Sequence, residues 1–135
     1  MITVRHGLPA IEATALVVLA QLATKLLGSP RLMRVLGRTR APRRTPPPHQ
    51  PETYRRARRV GRTVERVSDR LPWHPVCLPQ ALATRTMLRR RGIACEMHLG
   101  ISSTAPLAAH AWVTAGGRVV QGGPVDHVTP LATLR

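Results

Sequence analysis

Apolar residues along this chain first recur every three or four positions and later every two, and that change divides it. From Leu8 to Leu27 the chain is rich in Ala and Leu, with Glu12, Gln21 and Lys25 as scattered polar residues. Pro9 suits a first helical turn and Gly28 a stop, so a helix is expected there. A second, short helix is expected over Pro30 to Gly37. Five prolines fall between Ala41 and Pro51, which reads as an extended linker. Tyr54, Ala57, Val60, Val64, Val67 and Leu71 then line one face of a helix, and seven arginines cover the rest. Pro72 ends it. Another helix is expected from Cys77 to Arg91, with Pro79 in its first turn and Gly92 as its C-terminal cap. Beyond Gly92 the spacing falls to two. Ile93 to Ser102 and His110 to Ala115 read as strands, and Gly116-Gly117 as a tight turn into a returning strand, Arg118 to Gln121. Helices followed by an antiparallel sheet make an α+β fold. The expected segments are a helical part over 1–40, a linker over 41–51 and a core over 52–135.

A chain of 135 residues with 43% apolar content can bury one modest core and is too apolar to be disordered. With three aromatic residues (Tyr54, Trp73 and Trp112), that core must come from Leu, Val, Ile and Ala. Charge is the conspicuous feature, a net +15 with twenty Arg and one Lys. Residues 31–70 hold a net +10 of it, so the basic stretch precedes the sheet region. Such charge suits an acidic partner or a solvated helix face. A nucleic-acid-binding protein is the competing reading, but neither an aromatic stacking set nor a helix-turn-helix signature accompanies the arginines. Two cysteines do not make a disulfide scaffold and suit reduced thiols in the cytoplasm. No signal peptide is visible. The uncharged apolar run from Ala13 to Thr24 is twelve residues, short of a membrane span, so no transmembrane segment is expected.

Cys77 carries the chemistry. A helix start offers free N–H groups and a partial positive charge, which favour a thiolate and can hold an oxyanion. His110, early in a later strand, supplies a base. Cys at a helix start followed by His on a strand is the chain order of papain-like and transglutaminase-like enzymes, in which the thiolate attacks a carbonyl.

The runs Cys77-Leu78, Leu88-Arg89-Arg90-Arg91-Gly92-Ile93, His98-Leu99-Gly100-Ile101, Ala109-His110-Ala111-Trp112-Val113 and Gly117-Arg118-Val119-Val120 resemble the transglutaminase-like cysteine peptidases of lasso-peptide biosynthesis. More narrowly, they resemble the stand-alone peptidase half of the split B protein. The resemblance is most specific from Trp73 to Gly123. It implies a Cys-bearing helix packed on a small antiparallel sheet. It also implies removal of the leader from a ribosomally made precursor peptide, a separate leader-binding protein that presents the leader, and a macrolactam synthetase that closes the ring. No cofactor and no specific nucleic acid are implied.

The family's triad places an Asp after the His. The matching stretch, Gln121-Gly122-Gly123-Pro124, has no acid, so Asp126 is the leading candidate. A two-residue hairpin at Gly116-Gly117 would put Gln121 opposite Trp112, on the face of His110, which makes Gln121 the alternative orienting group. Loss of the orienting group need not abolish activity, but the missing acid also keeps a third reading, a non-catalytic scaffold on a degenerate peptidase fold. Trp73, His74, His98 and Trp112 are candidates for lining the cleft. Cys95 reads as a small core residue. Cys95 and His98 are three apart on one strand and point to opposite faces, so a zinc site is not expected.

Overall fold

Three helices and then four strands follow one another along the described part of the chain: α1 (Ile2–Leu27), α2 (Pro51–Arg70), α3 (Cys77–Arg90), β1 (Glu96–Ser102), β2 (Ala109–Ala115), β3 (Arg118–Gln121) and β4 (Val128–Leu134). The structure is a computed structural model that describes residues 2–28, 48–72, 76–102, 109–125 and 128–134. The short helix expected at Pro30–Gly37, most of the linker, and Trp73, His74 and Asp126 lie outside the described residues. The strands form one antiparallel sheet in the order β3-β2-β1-β4. The expected α+β architecture is therefore the one observed.

Alternation along the strands assigns the two faces. Met97 stands opposite Val113 and Leu99 opposite Ala111, and these join the hydrophobic core beneath the helices. The intervening residues, His98, His110 and Trp112, share the other face. Against the sheet, α3 packs mainly on β2 and α2 on β3, while α1 packs on both of these helices. Arg91 and Gly92 end α3, where Ile93 N–H donates to the Leu88 carbonyl at 3.0 Å and Gly92 takes a φ of 70°.

Two elements depart from expectation. Helix α1 begins at Ile2, so Pro9 is an interior residue rather than a first-turn one. Its end at Leu27 is the expected one. By length and composition, the 18 residues Pro9–Leu26 are apolar enough to cross a membrane, because Glu12 and Lys25 do not end the helix. Ala13 and Val17 are buried in the core, whereas Ile11, Leu19, Leu22 and Leu26 face outward. Glu12 is engaged internally, receiving Arg91 Nη2 and Arg90 Nη1 at 2.7 Å each. The Arg91 hydrogen bond holds the Glu12 carboxyl below its usual pKa. The second departure is β4, which the spacing argument did not find. Its Pro130 pairs with Gly100 beside a register irregularity, a placement an edge strand tolerates.

One face of α2 is fitted to β3. Tyr54 Oη donates to the Val119 carbonyl at 3.2 Å, and Arg58 Nη1 donates to the Val120 carbonyl at 2.7 Å. One turn further, Gly61 is buried so closely that an added Cβ would lie 1.9 Å from the Val120 carbonyl oxygen. That neighbour is backbone and cannot rotate away. Gly61→Ala should therefore destabilise the fold by about 2–3 kcal/mol, as an overpacked site does. Urea unfolding would read this, and an unchanged midpoint would mean that α2 withdraws from β3 without cost.

Candidate active site

Cys77 is the first residue of α3, as expected, and follows Val76 in extended conformation. Its side chain is partly exposed, and the thiol points to the Ala109 carbonyl at 3.9 Å. Ala109 opens β2 and precedes His110 directly. The nucleophile candidate thus lies against the rim of the sheet, one residue from the base candidate. Among the described residues no hydrogen bond joins thiol to imidazole. Such contacts are often long in enzymes without substrate and tighten on binding.

His110 is held from its other end. Its Nε2 lies 2.6 Å from the Gly122 carbonyl oxygen. A carbonyl only accepts, so Nε2 must carry the proton, and in the neutral ring Nδ1 keeps a free lone pair. Gly122 is fixed in turn: its N–H donates to Glu65 Oε1 at 3.3 Å, and Glu65 lies 3.6 Å from Arg58. Gly122 takes a φ of 87°, and a Cβ there would fall 2.9 Å from the Trp112 Cβ. Only glycine fits that position. Neither Glu65 nor Gly122 was singled out by the sequence. The signal that could have found Glu65 is its spacing from Tyr54, Arg58 and Gly61, which puts all four on one stripe of α2.

Gln121 is not on the face of His110. The hairpin does pair Ala115 with Arg118, but a bulge between Val113 and Thr114 inserts one residue, so that Gln121 stands opposite Val113. One extra residue reverses every side chain beyond it. Gln121 consequently points into the core face, fully buried, where its Nε2 donates to Gln80 Oε1 at 3.4 Å. Gln121 is therefore not placed to orient His110, contrary to the expected register. Asp126, Trp73 and His74 lie outside the described residues.

His98 and Trp112 lie together beside His110. Trp112 is sandwiched: its ring centroid is 5.3 Å from that of His98 and 5.8 Å from that of His110, with near-parallel planes. Both nitrogens of His98 are engaged, Nδ1 with Thr133 Oγ1 at 3.0 Å and Nε2 with Thr114 Oγ1 at 2.8 Å. Burial lowers the His98 pKa from its ordinary 6.5, and the nearby Glu96 carboxylate opposes this only in part. Cys95 is the second thiol. Burial pushes it up to about 11, against the pull of Arg85 and Arg89. Among the described residues no group of three or more His, Cys, Asp or Glu side chains could hold a metal ion.

These environments separate the two thiols and the two histidines experimentally. At pH 8 only about one Cys95 in a thousand would be thiolate. Iodoacetamide should therefore label Cys77 at least about tenfold faster than Cys95, as peptide mass mapping would show. Equal rates would remove the chemical distinction between them. For His98, the unfolded chain binds a proton that the folded chain declines, so its neutral form contributes fully above about pH 6.5 and less as pH falls. The thermal midpoint should drop between about pH 7 and pH 5, and His98→Gln should flatten that drop.

A family model described as the transglutaminase-like superfamily matches residues 16–133. Comparison with curated proteins returned no match. Comparison with solved structures likewise returned none.

Proposed function

Because this chain belongs to the transglutaminase-like superfamily, we propose that it is a cysteine peptidase, and specifically one that removes the leader from a ribosomally made lasso-peptide precursor. The observation that carries the catalytic part is the commitment of His110 Nε2 to the Gly122 carbonyl. It leaves Nδ1 as the basic nitrogen, on a residue adjoining the one the Cys77 thiol touches. The lasso-peptide part is supported by the sequence runs around Cys77, His98 and His110.

In this reading Nδ1 of His110 accepts the thiol proton, and the Cys77 sulfur adds to the scissile carbonyl carbon. The resulting oxyanion forms at the start of α3, where backbone N–H groups are free of intrahelical partners. The C–N bond then breaks, and the imidazolium gives its proton to the leaving amine. A water molecule next yields a proton to Nδ1 and adds its oxygen to the thioester carbonyl. Collapse releases the carboxylic acid, and the proton returns to the thiol. The Gly122 carbonyl orients the ring throughout. The precursor peptide, a separate leader-binding protein and the macrolactam synthetase are the proposed partners, in the cytoplasm.

The test mixes this protein with a precursor peptide and its leader-binding partner and follows the masses. Cys77→Ala and His110→Ala should each lower the cleavage rate by at least about 10³-fold. The reading fails if the wild type does not cut, or if Cys77→Ala cuts equally well. A product joined to an added amine, in place of hydrolysis, would make the chain a transglutaminase. Asp126→Ala and Gln121→Ala belong in the same series, and a loss at Asp126 comparable to that at His110 would move the orienting role from Gly122 to Asp126.

A further inference from the structure

A groove of about 740 Å³ lies between α2 and the N-terminal half of α1, with Arg91 also in its lining. It shares no residue with the Cys77–His110 region, and Arg91 stands at the opposite end of α3 from Cys77, roughly 20 Å away along a helix of that length. Arg56, Arg59, Arg62, Arg66 and Arg70 line it from α2. All five are exposed, and among the described residues none has a carboxylate partner, unlike Arg91, which is held by Glu12. Between them the lining is mostly apolar, with Val60 and Val67 from α2 and Pro9 and Ala10 from α1, and Thr63 of α2 as its one uncharged polar residue.

We infer that this groove binds an acidic, amphipathic peptide segment, its carboxylates on the arginines and its apolar side chains on the floor. Charge complementarity excludes the neighbouring stretch of this chain as occupant, because residues 29–47 carry six arginines and no acid. The lining also argues against nucleic acid. It has no aromatic side chain for a base to stack on, and its apolar floor would go unused under a phosphate backbone. A peptide alternating Glu and Leu at helical spacing uses both features. The inference does not rest on the peptidase reading, since it concerns binding alone.

The probe is a fluorescein-labelled peptide of about twelve residues, with Glu and Leu placed three and four apart so that one helical face is apolar and its edges acidic. Anisotropy at about 150 mM salt would report binding to the whole chain. Three results are expected. The Glu/Leu peptide binds, a Glu/Ser version binds at least about tenfold more weakly, and the double variant Arg59→Glu, Arg66→Glu loses at least about tenfold in affinity. Arg59→Gln with Arg66→Gln gives the same direction and serves if charge reversal disturbs folding, which circular dichroism would show. Equal binding of the Glu/Leu and Glu/Ser peptides overturns the inference, because the apolar floor is then idle. So does tighter binding of a single-stranded or duplex DNA of matching charge that is lost in the same variants. Absence of any peptide binding at that salt overturns it as well.

Discussion

The close approach of α2 to β3 is the constraint from which the rest of the site follows. Gly61 lets the two backbones meet at the Val120 carbonyl, and Tyr54, Arg58 and Glu65 fasten the strand on either side of that contact. The last of these reaches past the end of β3 to the Gly122 N–H, and the carbonyl of the same residue receives His110. One helix face thus sets a strand edge, the strand edge sets a glycine, and the glycine sets the tautomer of a ring. Each step is a hydrogen bond or a steric contact with a backbone group, so none can be remade elsewhere by rotating a side chain.

The same helix divides its arginines between two purposes. Arg58 faces inward, donating to Val120 and lying beside Glu65. On the hairpin, Arg118 lies 4.0 Å over the Tyr54 ring, so this cation too belongs to the α2–β3 contact. Arg90 and Arg91 tie α1 to the end of α3 through Glu12. What remains along the outer side of α2 is a set that has no carboxylate partner among the described residues. A net charge of +15 therefore has two physical meanings in this molecule: some of it closes the fold, and some of it is presented to whatever binds.

The parts legible in the sequence are those that local rules decide. Gly92 ends α3, Gly116-Gly117 turns β2 into β3 with both residues at positive φ, and Cys77 opens its helix after the extended Val76. The parts that were not legible depend on tertiary contact. Pro130 reads as a strand breaker until β4 is known to be an edge. The bulge at Val113 and Thr114 has no mark in composition, yet it sends Gln121 into the core and leaves the orienting position to a backbone carbonyl. A carbonyl has no residue type, so no reading of side chains could have nominated it. Similarly, the start of α1 was hidden because Pro9 suits a first helical turn, whereas the helix begins at Ile2 and carries Pro9 in its interior.

Residues of one type are given different tasks here by their surroundings alone. His98 and His110 share a sheet face and stack on the same Trp112, but two threonine hydroxyls occupy both nitrogens of His98 and burial lowers its pKa. His110 has one nitrogen spent on Gly122 and the other free to exchange a proton. Cys95 has its ionisation suppressed by burial, whereas Cys77 stands at a helix start with its sulfur at the sheet rim. A histidine that could titrate anywhere on this sheet, or a thiol that could ionise at either position, would blur which pair does chemistry. Locking one of each leaves, of these four groups, the Cys77 thiol at the start of α3, set against the carbonyl of the residue that precedes His110 on β2.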